Sequence, residues 1–185
     1  ELAPTKERAG QLMAGFEAAY EGRTIANMPA GLAAAMAKAG SASPTVRLRQ
    51  GDAAAVTEAL ALIGDEKADA SKRQQLIVLF GSLNQPTCVP VLLKVVKESR
   101  NDALRSASLG TLQSYGTPEI GSSVLGLYRD MSDQVREVAQ SLLSSRQSWA
   151  EALLTAIDAG QIDKQTVSEP TVRKLLLHES PKIAE

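Results

Sequence analysis

The residue types that most often carry chemistry are scarce here: one cysteine (Cys88), one histidine (His178), one tryptophan (Trp149), two phenylalanines and three tyrosines in 185 residues. A lone cysteine can form no internal disulfide, and it does not report the redox compartment. A lone histidine with no second histidine, no cysteine and no acidic residue at ligand spacing beyond Glu179 builds no recognisable metal site. With aromatics at 3% of the chain, the core must be aliphatic and its elements must pack at close range, which favours helices over sheets. Neither sign of charge dominates: 20 Lys and Arg stand against 21 Asp and Glu, a formal charge of −1. That balance lacks the basic footprint of a protein that neutralises many phosphates and argues against nucleic-acid binding. No apolar run reaches the roughly 18 residues of a membrane-spanning helix. The longest aliphatic stretches, Leu76 to Phe80 and Val89 to Val96, are interrupted by Gly, Pro or Lys. Phosphate-cradling loops, nucleophile elbows, zinc-hydrolase motifs and paired catalytic carboxylates are not found. The sequence opens at Glu1 with no Met and no leader pattern, so a piece of a larger protein is expected.

What the chain has in quantity is aliphatic residues at helical spacing. Its hydrophobic content of 44% suffices for one compact domain or one short repeat array. Val56/Ala59/Leu60/Ile63, Leu76/Leu79/Phe80/Leu83, Cys88/Val91/Leu92/Val95, Val135/Val138/Ala139/Leu142 and Ala150/Leu153/Leu154/Ile157 each place their apolar side chains on one face of a helix, with a looser version in Ile120/Val124/Leu127/Tyr128. These segments recur at a fixed distance. Arg73 and Arg105 are 32 residues apart, as are Pro86 and Pro118, and the same shift sets Ile77 on Leu109, Phe80 on Leu112, Leu83 on Tyr115 and Cys88 on Ile120. Asp102-Ala-Leu-Arg105 then returns 31 residues later as Asp133-Gln-Val-Arg136. A period near 32 residues predicts an all-α fold of stacked antiparallel helix pairs, each burying its apolar face only against its neighbours.

Start and stop signals fall between the segments. Asp52, Asp69, Asn101, Thr117, Ser132 and Ser148 each precede a periodic run and can accept from the free N–H groups of a first helical turn. Thr117-Pro118 adds proline at the first helical position, and Ser148-x-x-Glu151 reads as a capping box. Ahead of the array, Ala9/Leu12/Met13/Phe16/Tyr20 and Leu32/Ala35/Met36/Ala39 mark two helices, and the loop-like Gly40-Ser-Ala-Ser-Pro44 follows them. Residues 1–40 are therefore expected to form an N-terminal helical pair that acts as a cap. Residues 41–185 are expected to form the repeat array, continuing into further sequence because the helix through Val172/Leu175/Leu176 has no visible partner.

Asp133-Gln-Val-Arg136-Glu-Val-Ala139 with Leu142-Leu143, and its copy Asp102-Ala-Leu-Arg105-Ser-Ala107, resemble the second-helix signature of HEAT repeats. The short period is closer to the HEAT-like repeats of the phycobilin-lyase type. The resemblance implies a right-handed α-solenoid. A longer likeness runs from about Arg47 to His178, through Leu48-Arg-Gln-Gly-Asp52, Ile63-Gly-Asp-Glu-Lys-Ala-Asp69 and Arg146-Gln-Ser-Trp149 to Ile157-Asp-Ala-Gly160-Gln-Ile162. It is similar to the helical segment of large exported bacterial proteins that join a propeller-type dehydrogenase-like domain to a C-terminal c-type haem domain. That resemblance implies a periplasmic or otherwise exported spacer between two redox modules, with haem c in the parent protein. The segment itself takes no cofactor, since Cys-x-x-Cys-His cannot be written with one cysteine.

Four residues are candidates for facing a partner. Arg73, Arg105 and Arg136 recur at one helical position, so they could line an inner surface that grips an acidic partner; the alternative is that each pairs with a local Asp and organises stacking, which the balanced charge favours. Trp149 is either a binding anchor or packing between adjacent units. Cys88 falls on the repeat position of Ile120 and reads as a buried small hydrophobe. His178 reads as a helix C-terminal histidine that stabilises the dipole. The expected function is a non-catalytic scaffold or interaction segment whose partners are protein domains, in cis or in trans, with no membrane insertion. The alternative is a HEAT-like enzyme of the phycobilin-lyase or DNA-glycosylase type, and the glycosylase would need a cationic, aromatic-lined face.

Overall fold

A computed structural model describes residues 44–178, together with Arg8 and Gly15 as isolated helical positions. The helical pair expected over residues 1–40, the linker residues 40–43 and residues 179–185 lie outside the described residues.

Among the described residues every regular element is helical. In chain order they are α1 (Pro44–Arg49), α2 (Ala53–Gly64), α3 (Ala70–Phe80), α4 (Val89–Glu98), α5 (Asp102–Leu112), α6 (Pro118–Leu127), α7 (Asp133–Leu143), α8 (Gln147–Asp158) and α9 (Glu169–Leu175), with short 3₁₀ turns at Pro86–Cys88, Tyr128–Asp130 and Lys164–Thr166. None is long and apolar enough to cross a membrane. The chain divides into two compact units, Glu1–Glu58 and Ala59–Glu185.

In the first unit α1 buries Val46 and Leu48. Arg47 reaches the Asp52 carboxylate at 3.2 Å, and Asp52 accepts the Ala55 N–H at 2.9 Å as the cap of α2. The sequence reading did not anticipate α1, because six residues give too few turns for a four-position stripe to appear.

In the second unit the helices form two rows. One row runs α3, α5, α7, α9, each packed on the next, and the other runs α4, α6, α8; α4 also packs on α5, and α7 packs on both α6 and α8. Each helix thus meets its second neighbour in sequence, the arrangement that a 32-residue period of two helices produces. The buried positions are nearly all aliphatic: Ile77, Leu92, Leu109, Leu112, Ile120, Val135 and Leu142 have no exposed surface. Burying each such side chain contributes about 1.5–3 kcal/mol, against which the cost of ordering the chain is set.

Two local expectations are corrected. On α3 the buried positions are Arg73, Ile77 and Phe80, whereas Leu76 and Leu79 are half-buried. The stripe is rotated one residue because the Arg73 side chain belongs to the interior. At α8 the N-cap is Arg146, not Ser148, and no capping box forms; Glu151 accepts instead from Gln147 Nε2 at 3.1 Å. Asp69, Asn101 and Ser132 cap as expected, while Thr117 stands at its N-cap position without a side-chain bond, beside Pro118.

Candidate functional site

The last carbonyls of an α-helix have no partner within the helix, and in this chain side chains from the following helices supply the missing donors. Arg73 Nε donates to the Ile63 carbonyl at 3.0 Å, Arg105 Nε to Val96 at 2.9 Å and Arg136 Nε to Tyr128 at 3.3 Å. Those carbonyls close α2, α4 and the turn after α6. The three arginines form one ladder spaced at the repeat length, and each holds the end of one helix against the start of the next. Their remaining nitrogens differ. Arg105 reaches Asp102 and the Asp130 carbonyl, and Arg136 reaches Asp133 and the Arg129 carbonyl with its guanidinium 5.8 Å from the Tyr128 ring centre. Arg73 has no such carboxylate, because Ala70 stands where Asp102 and Asp133 stand. Its buried guanidinium instead borders a void of about 10 Å³ shared with Gly64, Lys94, Glu98 and Ser99, room for about one water molecule.

A second ladder serves the other row. Tyr115, Arg146 and His178 are spaced by 31 and 32 residues, and each reaches back to the C-terminal carbonyls of the preceding row helix. Tyr115 Oη lies against the carbonyls of Phe80 and Leu83, Arg146 Nη2 donates to Gln113 at 3.1 Å, and His178 Nε2 lies 2.8 Å from the Ser144 carbonyl. Burial, then a hydrogen bond with Cys88, pushes the Tyr115 phenol above its ordinary value, so it remains protonated and donates. Cys88 is wholly buried, and desolvation raises its thiol too, which disfavours the thiolate form.

Trp149 is buried. Its indole lies so close to Gly121 that a Cβ there would come within 2.5 Å of Cδ1, and the Arg146 guanidinium lies 5.1 Å from its ring centre. Gly121, at the second turn of α6, is thus required by the tryptophan on α8. Of the four partner-facing candidates, Arg73, Arg105 and Trp149 are buried and Arg136 is partly exposed. The structure brings the arginines into one ladder and places Trp149 with Arg146.

The last unit departs from the pattern. Ser168 occupies the next position of the first ladder, so no arginine caps α8. Gly160 at φ +67° closes that helix instead, with Gln161 N–H returning to the Ala156 carbonyl at 2.9 Å. The 3₁₀ turn and extended segment before α9 are held by buried Gln140, whose Nε2 donates to the Thr166 carbonyl and Tyr128 Oη and whose Oε1 accepts from Ser168 N–H and Thr171 Oγ1. Sequence reading missed Gln140, Arg146 and Gly121. Arg146 was detectable, since extending the match of Leu83 to Tyr115 by one unit lands on it.

Among the described residues no three His, Cys, Asp or Glu side chains converge as a metal site. A groove of about 320 Å³ between α7 and α9 is lined by Glu137, Ser141, Ser168, Pro170, Thr171 and Lys174. Within it Lys174 Nζ bonds Ser141 Oγ at 2.8 Å. No family model, curated protein or solved structure matches this chain.

Proposed function

We propose that this chain is a non-catalytic scaffold, a right-handed α-solenoid of HEAT-like antiparallel helix pairs about 32 residues long, whose role is to hold or dock other protein domains. The observation that carries the reading is the phase of the two capping ladders. Arg73, Arg105 and Arg136, and again Tyr115, Arg146 and His178, perform one structural task at one spacing. The polar side chains of the two ladders are engaged in joining one helix to another. In the parent protein the segment acts as a spacer between redox modules, a reading supported by the resemblance along residues 47–178.

Cross-linking mass spectrometry on the intact parent protein tests the docking role, with the visible spectrum of the same sample read for haem c. Links from Lys72, Lys94 or Lys174 into a separate domain, in a protein that shows a c-type haem spectrum, are the expected result. Links confined to the segment would reject docking in cis, and a haem-free parent would reject the spacer role. Turnover of a small substrate by residues 1–185 alone would reject the non-catalytic reading.

A further inference from the structure

The row α3, α5, α7, α9 repeats its contact positions from helix to helix, and on α9 and in the turn that follows it those positions are apolar and uncovered. Ile77 on α3, Leu109 on α5 and Gln140 on α7 occupy one repeat position and are 0%, 0% and 2% exposed, because the next helix of the row covers each of them. Val172 is their counterpart on α9 and is 44% exposed. One turn on, at the C-cap position, Gly81 and Gln113 are half-buried and Ser144 is 2% exposed with its carbonyl against His178, whereas their counterpart Leu176 is 71% exposed. Leu177, 80% exposed, stands where the earlier units carry the exposed serines Ser82, Ser114 and Ser145. Three large apolar side chains within six residues therefore lie at the position where an established interface, already formed three times, would form again.

The geometry points to α9 as a docking site for one further α-helix from a partner, an inference that rests on the repeat reading above. Continuity with the α7–α9 contact fixes what that helix must carry. It needs an apolar stripe to cover Val172 and Leu176. It also needs a tyrosine, arginine or histidine just past its C-terminal end, to reach the Leu176 carbonyl as Tyr115, Arg146 and His178 reach the ends of α3, α5 and α7. Affinity comes from the apolar stripe, and the donor sets the register.

The test supplies an occupant of that chemistry. A copy of residues 116–146, which contains α6, α7 and Arg146, is inserted after His178, where the repeat phase resumes. Amide exchange is then compared with the unmodified chain. The expected result is at least about tenfold slower exchange over residues 172–177, lost again when Val172→Glu and Leu176→Glu are added. No slowing overturns the proposal, and so does slowing that survives the two glutamates. If the insertion unfolds the chain, the same segment added in trans as a peptide decides: shifts of the Leu176 and Leu177 methyl signals support the site, and none at millimolar peptide overturns it. Protection of 172–177 that grows with the concentration of the unmodified chain assigns the face to a second copy and overturns the partner helix. Failure of the underlying repeat reading looks different: residues 70–158 would then open as a single block, without a gradient of protection from α5 towards the ends.

Discussion

At the scale of single residues, arginine serves this chain as a cap more than as a surface charge. Arg105 is almost wholly buried and bonds two carbonyls and one carboxylate. Replacing it by methionine keeps the stem and strands the Val96 and Asp130 carbonyls, so Arg105→Met should cost about 1–3 kcal/mol in urea unfolding. Arg73 offers the converse experiment. Ala70→Asp would supply the carboxylate that its two counterparts have, at a helix N-terminus where an acidic residue is favourable by about 0.3–1 kcal/mol; a rise of that order is expected, and a fall would mean that the void beside Arg73 is needed as it is. Asp52 gives a pH-dependent case. The Arg47 side-chain hydrogen bond, followed by the Ala55 N–H, holds its carboxyl below the usual range. A folded pKa below the unfolded one means that the stabilisation is complete above about pH 4 and is lost as pH falls through the folded value. In Arg47→Gln the Asp52 midpoint, followed by carboxyl carbon NMR, should move upward; an unmoved midpoint would exclude Arg47 as the cause.

At the scale of helices, two glycines separate close packing from open surface. Gly121 faces the Trp149 indole, and a methyl group there would come within 2.5 Å of it. Gly126, one and a half turns later on α6, has nothing within 4 Å. Gly121→Ala should therefore destabilise by about 1–3 kcal/mol, while Gly126→Ala should stabilise by about 0.5–1 kcal/mol through helix propensity. Matched urea titrations would show opposite signs, and equal effects would contradict the packing. The contrast also marks what was legible beforehand. Periodicity, caps and the repeat shift showed α2 to α9 and their succession, because those signals are local or recur. The rotation of α3 toward Arg73 was hidden, since a buried arginine looks polar in a sequence. The start of α8 was mislocated for a related reason: Arg146 is drawn out of the helix by a carbonyl 33 residues away, and no local pattern records that. Gly121 needed knowledge of which residue faces it across a helix pair. Of the ladders, the arginine one was visible as a repeat, but its task of capping the preceding helix became clear only from the carbonyls it reaches.

At the scale of the whole second unit, 59–185, damage should remain local if each helix depends mainly on its near neighbours. Ile77 is wholly buried where α3 meets α5, and its carbonyl receives Thr111 Oγ1 at 2.9 Å. Ile77→Ala should cost about 2–5 kcal/mol at that contact. Trp149 is the only tryptophan and reports the packing of α8 on α6, two helices removed from the lesion. If stability is a sum over neighbouring contacts, the mutant's far-ultraviolet dichroism should begin to fall at lower urea than its tryptophan fluorescence, whereas in the unaltered chain the two curves lie closer together. Coincident curves shifted by the same amount would instead make 59–185 one cooperative block, and the two ladders would then be the braces of a single core.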